Sequence, residues 1–132
     1  MKIENVFLDG YKSRGVYSPA KKIDLGDHYM IFVSGVQPPK DEVHSVITDD
    51  IAEQTHLVFK EIDSILHQCG ASLDNVVKAV IYITDMKEFD IISKIRGEYF
   101  KNSMPVSTLV EVNRMTRDGA RIEIEVTAMI AK

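Results

Sequence analysis

A chain of 132 residues, 45% hydrophobic and 27% charged, has the size and composition of one globular domain with a real core. Its formal net charge of −4, with Lys21-Lys22 as the one adjacent basic pair, weighs against general nucleic-acid binding, which rests on neutralising phosphates. No run approaches the ~20 apolar residues of a membrane span, and residues 1–5 lack the apolar core of a signal peptide. The lone Cys69 leaves no intramolecular disulfide, so the expected location is the cytoplasm.

In chain order, residues 3–8 and 16–36 are expected to be strands, with a turn at residues 11–15. Gly26-Asp27 separates two short apolar runs, a hairpin signal. Pro38 and Pro39 cannot donate to a ladder, so the sheet should stop before them. That leaves Ser34 and Gly35 at a sheet end, where ligand-contacting groups are common. Residues 40–48 read as a loop, with Thr48 or Asp49 capping a helix; the carboxylates of Asp49-Asp50 suit its positive end. Ile51, Thr55, Val58, Ile62, Ile65 and Cys69 recur at steps of four and three, an amphipathic helix closed by Gly70. Its other face carries Glu53, Lys60, Glu61, Asp63 and Ser64 toward solvent, and Cys69 reads as a small buried hydrophobe. Residues 76–84 are apolar at nearly every position, as a strand covered on both faces would be. A second helix is expected over residues 87–101, with Phe89, Ile92, Ile95 and Tyr99 on its buried side.

The C-terminal stretch reads as two strands, residues 104–112 and 121–128, joined by a turn at residues 116–119. In the second, Ile122, Ile124, Val126, Ala128 and Ile130 alternate with Glu123, Glu125 and Thr127, so one face is apolar and both carboxylates share the other. A solvated strand face is the ordinary account of such a pair. The order of elements implies an α+β domain over residues 1–132, with two helices on one face of a single sheet. The second sheet face is then partly apolar and uncovered, which points to self-association. His28, His44, His56 and His67 lack zinc-site spacing and read as surface histidines. No nucleophile elbow, phosphate loop or dinucleotide fingerprint appears.

Five segments occur in an order and spacing that resemble the Rid family, also called YjgF or endoribonuclease L-PSP: residues 15–20 (Gly-Val-Tyr-Ser-Pro-Ala), 32–35 (Phe-Val-Ser-Gly), 53–55 (Glu-Gln-Thr), 70–78 and 122–125 (Ile-Glu-Ile-Glu). The resemblance implies a chorismate-mutase-like fold, a mixed sheet with two helices on one face. It also implies a homotrimer whose clefts between subunits take a small imine, enamine or oxo acid. The best-known branch hydrolyses imines and enamines without a metal or organic cofactor. Tyr17, Ser34 and Glu123 match residues that line the family's cleft, with the glutamate placing water and Gly35 beside the serine. The carboxylate-binding arginine of that branch is replaced by Ser107, its asparagine on the second helix aligns with Ser93, and the tyrosine one turn later with Arg96. An arginine suits a carboxylate because its planar fork matches both oxygens. Arg96, or less directly Arg14, is therefore a candidate to supply the cation from a new direction. The alternatives are a non-catalytic metabolite-binding or regulatory trimer, and the endoribonuclease or translation inhibitor of the family's older name, against which the negative charge argues.

Overall fold

Alternation in the last strand decides how the sheet is assembled. In the computed structural model, which describes residues 1–8 and 15–132, β6 (Ile122–Ala131) buries Ile122, Ile124, Val126 and Ala128 at 0–3% exposure and turns Glu123, Glu125 and Thr127 to the opposite face. It pairs antiparallel on one side with β3 (His28–Val36) and on the other with β4 (Val76–Ile83). With β1 (Lys2–Val6), β2 (Ala20–Asp24) and β5 (Val106–Glu111), the sheet order is β1-β2-β3-β6-β4-β5, mixed because β5 runs parallel to β4.

The C-terminal strands are therefore not neighbours, since β4 lies between them. The reason lies in the residues that join them, which are tied elsewhere instead of closing a tight turn. Asp118 bonds through its backbone to His44 and Val46, and Gly119 and Arg121 bond to the side chain of Gln54. Further upstream, the expected strand over residues 3–8 ends at Val6, and the one over residues 16–36 resolves into β2 and β3 around the Gly26 turn, where φ is +101°. Residues 11–14 of the expected first turn, and with them Arg14, lie outside the described residues.

Two helices cover one face of the sheet. Helix α1 (Ile51–Gln68) is capped by Asp50, not by Thr48 or Asp49; its carboxylate accepts from the amides of Ala52 and Glu53. Thr48 supports that cap from outside, accepting from the Asp50 amide and donating to Glu53. Gly70, at φ +79°, ends the helix as the spacing suggested. Helix α2 (Phe89–Phe100) is shorter than expected because residues 86–88 form a separate 3-10 turn. Phe100 is buried beside Ile92 and Ile95, while Phe89 and Tyr99 are half-buried. Tyr99 stacks on Phe59 and its hydroxyl lies 2.8 Å from Nδ1 of His56, so His56 is an inter-helix contact and not a surface histidine. Cys69 is buried and free, as its place on the apolar stripe implied.

The other sheet face stays open within the chain. Strand β4, expected to be covered on both faces, buries only Val76, Ala79, Ile81 and Ile83; Val80 and Tyr82 point to the open face. Phe32, Val106 and Val110 extend that face at 43%, 69% and 40% exposure. Among the described residues no helix is long and apolar enough to cross a membrane.

Among the described residues Gln54 is the one wholly buried side-chain amide, and both its donors and one of its acceptor positions are used. Its Nε2 donates to the carbonyls of Thr48 and Gly119, and its Oε1 accepts from the Arg121 amide. Gln54→Leu fills the same space but strands three backbone groups, so a loss of about 2–4 kcal/mol is expected in urea unfolding.

Candidate functional site

A bulge builds the site. The register between β3 and β6 shifts between Val33 and Val36, both of which stay buried, so Ser34 and Gly35 form the irregular part of the strand. Ser34 is held on both sides of its Cα: its amide donates to Pro19 (2.9 Å) and its hydroxyl to the Ser18 carbonyl (2.7 Å). Gly35 carries no side chain for a steric reason. A Cβ built there would lie 2.6 Å from Oε2 and 2.9 Å from Cδ of Glu123, so the carboxylate rests directly on the glycine. The Glu123 carboxylate makes no hydrogen bond to the described residues, whereas that of Glu125 accepts from the Tyr82 hydroxyl at 2.6 Å. That bond pushes the Tyr82 hydroxyl above its ordinary pKa, because the phenolate would face a carboxylate. Of the two acids on this strand face, Glu125 is committed and Glu123 is available.

Tyr17 reaches the same place from the chain before β2 and is 67% exposed. With Ser34, Gly35, Glu61 and Arg117 it borders an open hollow of about 480 Å³, which adjoins a wider polar hollow bordered by Gln37 and Lys40. Glu61 and Arg117, like Gln37 and Lys40, were not singled out in the sequence. Glu61, read there as part of the solvated helix face, lines the hollow; burial pushes its carboxyl up, partly offset by the Arg117 charge. Arg117 lay in a stretch legible only as a turn.

Ser93, Arg96 and Ser107 form a second group elsewhere. Arg96 donates Nη2 to the Ser93 hydroxyl at 3.1 Å and lies over the Phe89 ring at 5.9 Å. Arg96 and Ser107 border an open hollow of about 830 Å³ with Phe100, Lys101 and Met104. Ser107 stands on the edge strand, on the helix side of the sheet, paired in register with Ala79. Three strand steps separate β5 from β3, roughly 14 Å at the usual spacing, so one chain does not bring this group to Ser34. The structure thus places Tyr17, Ser34 and Gly35 around one hollow, with Glu123 touching Gly35 but not lining that hollow, and separately gathers Ser93, Arg96 and Ser107. Among the described residues no cluster of three metal-ligating side chains occurs.

The architecture and this site have clear relatives. The signature of the endoribonuclease L-PSP family matches residues 9–130. The chain belongs to that family, also known as Rid or YjgF. A RutC family protein of Pyrococcus abyssi is 38% identical over 117 residues, which span 89% of this chain and 88% of the relative. The crystal structure of a Rid-family protein from Yersinia pestis superposes with a TM-score of 0.83 at 30% identity, covering 98% of this chain and all of that one. A YjgF family member from Neisseria meningitidis gives a TM-score of 0.76 at 32% identity, covering 100% of this chain and 98% of its own. The α+β fold expected from the order of elements is the fold of this family.

The contact between Gly35 and Glu123 is directly testable. The atom a new Cβ would meet is the far end of a flexible side chain, so Gly35→Ala is expected to shift stability by less than about 1 kcal/mol while displacing the carboxylate. Unfolding together with a crystal structure of the variant would read both effects.

Proposed function

We propose that this protein is a cytoplasmic hydrolase of small imines or enamines, which needs no metal or organic cofactor. The observation that carries the reading is the uncommitted Glu123 carboxylate lying on Gly35, a residue that also borders a hollow with Tyr17 and Ser34. In the reaction Glu123 holds a water molecule and takes its proton as the oxygen adds to the C=N carbon. Glu123 passes that proton to the nitrogen, giving a carbinolamine; it then takes the hydroxyl proton and delivers it to the amine as the C–N bond breaks, so a carbonyl product and ammonia leave. Ser34 and Gly35 orient the substrate and Tyr17 closes over it.

The assembly proposed is a homotrimer. Phe32, Val80, Tyr82, Val106 and Val110 would be covered by neighbouring copies, because an apolar face of this extent is seldom left to water. Packing of that kind also offers a route to one cleft from two incomplete groups, with Ser93, Arg96 and Ser107 of one copy facing Tyr17, Ser34, Gly35 and Glu123 of the next.

A second reading is favoured by one residue. Ser107 stands where the imine-hydrolysing branch resembled in sequence carries its carboxylate-binding arginine, which suits a trimer that binds a metabolite without turning it over. Ammonia release from freshly generated imines, wild type beside Glu123→Gln, separates the two. Hydrolysis predicts acceleration in the wild type and a fall of about 10²-fold or more in the variant, with the trimer intact by light scattering. No acceleration over a panel of imines, with ligand binding retained, is the result expected of the binding protein. Loss of the trimer in Glu123→Gln would make Glu123 structural.

A further inference from the structure

Resting on the proposal that the Tyr17–Gly35 hollow receives the substrate, we infer that Arg117 is the group that binds a ligand carboxylate there, in place of an arginine at the position of Ser107. The guanidinium is anchored from one side only. Its Nη1 donates to the carbonyl of Pro38 at 2.8 Å and more weakly to that of Gln37 at 3.4 Å, while Nη2 and Nε make no hydrogen bond to the described residues. Both unused nitrogens belong to one planar fork, the arrangement that takes two carboxylate oxygens.

The anchor is itself rigid. Backbone carbonyls at the end of β3 cannot swing away as side chains can, and the Gln37 side chain completes the tie: its Oε1 accepts from the Arg117 amide at 3.1 Å and its Nε2 donates to the Thr116 hydroxyl at 2.8 Å. Arg117 is thereby fastened to the segment that begins with Ser34 and Gly35, and it borders both hollows that meet at Tyr17 and Gly35. Arg96 is placed less well for this role. It gives Nη2 to Ser93, so its fork is partly used, and it lies in the hollow at β5, where only a neighbouring copy could bring it to the Tyr17–Gly35 hollow.

Three acids share the hollows that Arg117 borders: Glu61 in the first, and Asp41 and Glu42, with Lys40 beside them, in the second. Among the described residues no hydrogen bond or ion pair within 4 Å joins Glu61 to Arg117 or to any other side chain. The fork therefore remains open to a ligand, and the Glu61 charge lowers the affinity for an anion without occupying the site. Removing that charge should raise the affinity.

Titration calorimetry with pyruvate and with its neutral amide, pyruvamide, tests the assignment independently of turnover. The wild type is expected to prefer pyruvate. Arg117→Met should weaken pyruvate at least tenfold and leave pyruvamide unchanged, Arg117→Lys should recover part of the loss, and Glu61→Gln should tighten pyruvate. Equal weakening of both probes by Arg117→Met, selective loss in Arg96→Ala instead, or no pyruvate binding by the wild type would each overturn it. If Arg117-dependent pyruvate binding appears while the wild type hydrolyses no imine, this inference stands and the hydrolase reading falls. Imine hydrolysis that is indifferent to Arg117 on carboxylate-bearing substrates has the opposite meaning.

Discussion

Everything in this molecule depends on β6 keeping its register. Four of its side chains form the floor of the core, and the two acids between them face the other way. A slip of one residue would drive Glu123 and Glu125 into the core and expel Ile122, Ile124 and Val126, a change no small domain could absorb. Because β6 is flanked on both sides, that single alternation also sets the facing of β3 and β4, and through them of the outer strands. With Ile124 paired to Val36, Glu123 stands one step beyond that pair and its side chain reaches diagonally onto Gly35.

The site is made from departures from this regular frame. The bulge in β3 releases Ser34 and Gly35 from strict alternation, and the missing side chain of Gly35 gives the carboxylate its resting place. The chain between β5 and β6 is long and would be loose if it were held only at its ends. Gln54 prevents that by satisfying Gly119 and Arg121 from inside the protein, and Arg121 in turn pairs with Glu88 at 2.7 Å. One buried amide thus couples the start of α1, the turn before α2 and the loop that carries Arg117.

The two groups of polar residues follow from sheet order. Tyr17, Ser34 and Gly35 line a hollow at the end of β3, with Glu123 of β6 against Gly35, whereas Ser93, Arg96 and Ser107 gather where α2 meets the edge strand. The open apolar face between these regions runs across β3, β4 and β5. Within one chain Arg117 borders the hollow that Tyr17, Ser34 and Gly35 line.

Much of this was legible in the residues themselves, because local rules dominate where they apply. The amphipathic stripe of α1, the Gly26 hairpin, the proline stop after β3 and the apolar face of β6 depend on spacing and backbone chemistry that tertiary contacts did not override. Tyr17, Ser34, Gly35 and Glu123 were singled out through the resemblance to a family. Other features had no local signal. That β4 intervenes between β5 and β6 depends on long-range pairing, and the cap at Asp50 was chosen among three adjacent polar residues by geometry alone. Glu61 looked like any acid on a solvated helix, and Arg117 like any residue in a turn. Their place in the hollow beside Gly35 arises only when α1, the end of β3 and the 112–121 loop pack together, since burial and charge proximity are properties of the folded chain and not of residue order.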